Sequence, residues 1–124
     1  MSKKQQRNLS ALLSLMFLVP ACFKLFDVSI AVEHFAKWGI PVRMMHFIGV
    51  SELAGAIGLL VPRTRLAASF SLFLLMIGGL LTHVANGEYV FALMPIVYGA
   101  GLLVVMKQSV PEMLSTLEHV PGTV

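Results

Sequence analysis

Residues 47–62 read FIGVSELAGAIGLLVP, an apolar run with one ionisable side chain, Glu52, near its middle. In a water-soluble protein an isolated carboxylate in such a run would sit near the surface. The rest of the chain gives another setting. Its 124 residues are 57% hydrophobic and 12% charged, with a mean hydropathy of +0.85, whereas soluble domains are about 45–50% apolar and about 25% charged. The run lies in lipid, and Glu52 with it.

Outward from this stretch, four runs have membrane-spanning length: 9–26, 44–61, 66–83 and 89–106. A hydrocarbon core of about 30 Å takes roughly 20 residues of helix, and in lipid each segment must satisfy its own backbone hydrogen bonds. The expected fold class is all-α, a four-transmembrane-helix bundle forming a single membrane domain over 1–124. Gly39 with Pro41, Pro62 with Arg63, and Asn86 with Gly87 mark the turns between spans. Pro20 and Pro95 fall inside spans, where proline removes an intrahelical bond and favours a kink. Two short interfacial helices are expected as well. One covers Ser29 to Trp38, with Trp38 at the headgroup level. The other is the amphipathic tail, 107–124, where Ser109, Pro111 and Glu112 form a capping box and Val110, Met113, Leu114 and Leu117 share a face.

Charge sets the orientation. Lys3, Lys4, Arg7, Arg63, Arg65 and Lys107 fall on one side of the membrane, against Lys37 and Arg43 in the first loop of the other. The positive-inside rule then places both termini in the cytoplasm, N-in and C-in. The net charge of +3 is gathered at span ends, so no nucleic-acid surface is expected. A single cysteine, Cys22, excludes an intrachain disulfide and paired-thiol chemistry. KKQQR followed by an apolar run and LVPAC has the outline of a signal sequence cleaved at Cys22. Pro20 is ill suited to that cleavage, which would also strip most of the first span.

Ionisable groups in the hydrocarbon cost about 2.5–3.5 kcal/mol on insertion scales, so they face the bundle interior and pair. Lys24 and Glu52 are the two within spans; His46 and His83 lie close to span ends. With the first span running outward, all four belong to the outer half of the bundle. Glu52 is then roughly 9 Å inward of His46, and Asp27 and Glu88 stand at the rim. Ser51, Gly55 and Gly58 border Glu52 with a small-residue stripe, and Ser71, Gly78 and Thr82, with Gly79 alongside, make another on the third span. The second and third spans are therefore expected to pack closely. No His-rich helical spacing fixes a metal, and no nucleophile elbow, phosphate loop or haem motif is present, so the chain has no self-contained catalytic motif. The intramembrane cluster of Lys24, Glu52, His46 and His83 reads either as a structural ion pair or as a ligand site.

FKLFD closing the first span, WGIP before the second, the block FIGVSELAGAIGLLVPRTRLAA, and LMIGGLLTHVANGE closing the third stand in an order that resembles the DoxX-like family of small four-helix membrane proteins. The resemblance runs from about Leu9 to Met106. That family is named for a subunit of an archaeal thiosulfate:quinone oxidoreductase, other members are associated with redox stress and respiration, and distant relatives assist receptor assembly. By position, Lys24, Glu52 with Gly55, and His83 match family patterns, while Ala21 and Cys22 stand where glycine is common. The resemblance implies a quinone-linked or redox-associated subunit of a bacterial cytoplasmic membrane. It would carry no cofactor of its own, would take quinone as ligand, and would need a membrane partner for electron transfer. The alternative is an assembly factor or structural partner of a larger membrane complex, or a homo-oligomer.

Overall fold

The structure, a computed structural model, describes residues 1–118 and is helical throughout, with helices α1 (Lys3–Leu25), α2 (Ser29–Lys37), α3 (Val42–Leu60), α4 (Arg65–Ala85) and α5 (Leu93–Glu118). Among the described residues α1, α3, α4 and α5 are each long and apolar enough to cross a membrane, as expected. The short α2 occupies the place of the first interfacial helix. α1 packs chiefly on α3 and α4 chiefly on α5, with α3 and α4 joining the two pairs.

The apolar core gathers at the end of the bundle that holds the N-terminus and the α3–α4 turn. Leu13, Phe17, Ala56, Leu59, Ala68, Leu72, Leu102 and Val105 are all buried there. Small residues on α3 set the helix spacing. A Cβ built at Gly55 would come within 2.6 Å of the Leu72 side chain, and one at Gly58 within 2.8 Å of the Ala68 Cβ. α3 and α4 thus meet closely, but α4 makes the contact through Ala68 and Leu72. Its Ser71 and Thr82 hydroxyls instead donate to carbonyls on their own helix, and Gly78 faces open space.

Polar ties reinforce the same end. Arg65, 5% exposed, donates from Nε to the Leu59 carbonyl at 2.8 Å and from Nη1 to Glu112 at 3.3 Å. Glu112 also accepts from Gln6 Nε2 at 2.9 Å. The Ser14 hydroxyl donates to the Ala56 carbonyl at 2.7 Å.

Element ends differ from the hydropathy boundaries for local reasons. α1 begins at Lys3 because Ser2 and Gln5 form a reciprocal capping box, which adds polar turns that an apolar-run criterion leaves out. α5 begins at Leu93, after turns over 89–92. Pro95 is therefore in its first turn, where the missing N–H would have had no helical partner, and no kink is required. The expected tail helix is continuous with α5. Ser109 does not cap a new helix; its hydroxyl donates back to the Val105 carbonyl at 2.6 Å, and the helix runs on through Pro111. The last part of the expected tail, 119–124, lies outside the described residues.

Gly55→Val is expected to overpack the α3–α4 contact, at a cost of about 1–3 kcal/mol, and to lower the thermal unfolding midpoint in detergent. Gly78→Val, facing open space, should leave that midpoint nearly unchanged. Equal midpoints for Gly55→Val and the unaltered protein would contradict the packing described.

Candidate functional site

Toward the opposite end the packed core gives way to a cavity of about 820 Å³, lined by α1, α2, α3, α4 and the start of α5. The edge-to-face contact of Phe17 with Tyr98, 5.2 Å between centroids, marks the boundary, since Phe17 belongs to the core and Tyr98 to the cavity wall. Most of that wall is aliphatic and aromatic, and its polar groups are few.

Lys24 and Glu52 supply the first of these. Nζ of Lys24 lies 2.9 Å from Oε1 of Glu52, the two side chains being 16% and 4% exposed. Gly49, one turn from Glu52 on the same face of α3, makes the pair reachable. A Cβ there would stand 3.1 Å from the Lys24 Cβ, so the absence of a side chain lets α1 come close enough for the ammonium to turn onto the carboxylate. Lys24 also lies in the last turn of α1, where the helix dipole favours a cation.

The second polar centre is Glu88. α4 ends in a Schellman motif: Gly87, at φ +71, donates to the Val84 carbonyl and Glu88 N–H to the His83 carbonyl at 2.8 Å, a reversal that glycine permits at low steric cost. Glu88 is thereby folded over the end of its own helix. Its carboxylate accepts from Lys37 Nζ at 2.8 Å, from Trp38 Nε1 at 2.9 Å and from His83 Nδ1 at 3.0 Å. The hydrogen bond from Lys37 dominates; burial acts in the opposite sense, and the bonds from Trp38 and His83 add to the lowering. Together they bring the Glu88 carboxyl down from 4.5 to about 2. Aromatic rings complete this cap. His34 stacks on Trp38 at 5.5 Å, Trp38 meets His83 edge-on at 5.2 Å, and Phe91 lies against both histidines.

Of the residues singled out from the sequence, the structure brings Lys24, Glu52 and His83 to one cavity. His46 stands apart, bonded through Nε2 to Asp27 at an exposed site, and neither lines the cavity. Glu88, placed at the rim from sequence, has a side chain 8% exposed and is the hub of three interactions. Trp38, expected at the headgroup level, turns its indole N–H onto Glu88. Lys37, Trp38 and His34 were not anticipated as site residues. Their signal was the spacing of His34, Lys37 and Trp38 along α2, which puts them on one face. Among the described residues no group of three or more histidine, cysteine, aspartate or glutamate side chains could hold a metal ion.

Compared with protein-family models, residues 8–105 match the one described as the DoxX-like family. Comparisons with curated proteins and with solved structures returned no match.

Lys24→Met or Glu52→Gln alone should destabilise the protein in detergent by roughly 3 kcal/mol, by leaving one partner unpaired, and the double variant should recover much of that loss. Additive losses would show that the two groups are not coupled. Glu88 binds its proton less readily in the folded protein than in the unfolded chain, so its stabilising contribution is complete above about 4.5 and fades as the pH falls toward about 2. In an acid titration followed by circular dichroism, Glu88→Gln should flatten the loss of stability across that window; an unchanged slope would remove Glu88 from the account.

Proposed function

The chain belongs to the DoxX-like family, and on that footing we propose that it is a quinone-linked subunit of a membrane redox complex that holds the quinone ring in the cavity between α1, α2, α3, α4 and α5. The observation that carries this reading is the cavity itself. Its volume, about 820 Å³, falls among small-molecule sites of about 300–1,000 Å³, which are typically apolar with a few placed polar groups. Here those groups are the ammonium of Lys24, which donates hydrogen bonds, the carboxylate of Glu52, which accepts them, and His83.

A quinone takes up two electrons and two protons on reduction, and this chain's part is to bind and orient the ring and to offer groups that exchange protons. In this reading the electrons come from a partner subunit. Both termini face the cytoplasm of a bacterial cytoplasmic membrane in this reading, which puts the cavity in the outer half of the bilayer. The alternative, an assembly factor for a larger membrane protein, is favoured by α4, the least buried of the four spanning helices, and it needs no ligand.

A short-chain quinone titrated into the full chain in detergent should raise the unfolding midpoint saturably. Ala31→Trp, which adds bulk to the cavity wall on α2, should abolish the rise with little change in the ligand-free midpoint. Absence of a rise in the unaltered protein would sink the quinone reading and leave the assembly role.

A further inference from the structure

His83 touches the cavity and Glu88 at once, and this fixes which of its ring nitrogens carries a proton. Glu88, at about 2, is ionised at any near-neutral pH and can only accept. Its two other partners, the Lys37 ammonium and the Trp38 indole, have no acceptor to give in return. Nδ1 of His83, 3.0 Å from Glu88 Oε1, must therefore be the protonated nitrogen. In a neutral imidazole with its proton on Nδ1, Nε2 is a bare acceptor.

Nε2 has no hydrogen-bond partner among the described residues, while none of their buried side-chain nitrogens or oxygens lacks one. Nε2 therefore stands at an accessible surface, on a ring that lines the cavity. Trp38 and Phe91 hold that ring from two sides. An acceptor fixed in this way welcomes a hydroxyl and repels a carbonyl oxygen.

Resting on the reading of the cavity as a quinone site, we propose that it selects the hydroxyl-bearing form of its ligand, a hydroquinone or related phenol whose O–H donates to Nε2 of His83. Glu88 is the positioning residue that sets this preference, through the proton it holds on Nδ1. Lys24 and Glu52 line the same cavity and offer a donor and an acceptor to the second ring oxygen.

The test uses the full chain in detergent, in mildly alkaline anaerobic buffer, with tetramethylhydroquinone and its dimethyl ether as probes. The two share a ring, but the ether has no hydrogen to donate. Trp38 is the single tryptophan of the chain and lies on the cavity wall, so its emission reports occupancy. The hydroquinone should bind about tenfold tighter than the ether, as expected for one hydrogen bond gained against an acceptor left facing an ether oxygen. In Glu88→Ala no carboxylate holds the proton on Nδ1, the ring is free to carry it on Nε2, and the ratio should fall toward one. His83→Phe, which keeps the aromatic packing, should do the same and serves if Glu88→Ala does not fold. Equal binding of both probes by the unaltered protein would overturn the selection and leave the quinone site standing. A full preference retained in either variant would overturn the roles given to Glu88 and His83. Binding of neither probe would overturn selection and site together.

Discussion

A charge placed in hydrocarbon must meet its opposite, and the architecture around Lys24 and Glu52 follows from that requirement. The ammonium comes from the last turn of α1 and the carboxylate from the middle of α3, so the pair forms only if these helices lie side by side in fixed register. Gly49 provides the close approach, and the α1–α3 contact is the most extensive in the bundle. A slip of one residue along either helix would turn one of the charges toward lipid. Desolvation offsets much of the attraction between buried charges, so such a pair is weak evidence for net stability.

The two ends of the bundle are built on different principles. At one, Gly55 and Gly58 let α4 settle onto α3, aliphatic side chains fill the space, and Arg65 with Glu112 and Gln6 ties α4, α5 and α1 together. At the other, α2 and the turn after α4 are inserted between the helices, which separate around a cavity. The cavity's cap is also fixed, because Glu88 gathers Lys37 and Trp38 from α2 and His83 from α4 into one set of hydrogen bonds.

The fold was legible in the sequence because lipid leaves few choices: four apolar runs, turn residues between them, and backbone bonds that must close within each helix. Family membership was legible for a related reason, in the order of the blocks around Lys24, Glu52 and His83. The site was legible only in part. A rare charge in a span announces itself, so Lys24 and Glu52 stood out. Depth alone grouped His46 with them, yet depth says nothing about direction around a helix axis, and His46 faces Asp27 outside the cavity. Glu88 was visible as a charge in a short turn, but its hub role depends on the reversal at Gly87 and on how α2 is laid across the bundle. That is tertiary information, which no local pattern carries. The continuity of α5 through Pro111 was hidden for the opposite reason, since a capping sequence is a local preference and packing of Ser109 into the bundle overrode it.

The spanning helices are unequal in length, and the difference bears on the membrane around them. α3 has 19 residues and α5 has 26, so at about 1.5 Å per residue they reach about 28 Å and about 39 Å. The longer one carries on past Ser109, where Glu112 meets the buried Arg65. The shorter one only just matches an average hydrocarbon thickness of about 30 Å. A bilayer of that thickness fits α3 with nothing to spare, while α5 is long enough for a thicker one. Bilayers thickened by sterols or long acyl chains would draw the exposed Asp27–His46 pair toward hydrocarbon, so acyl-chain length becomes a variable that acts on this protein from one side.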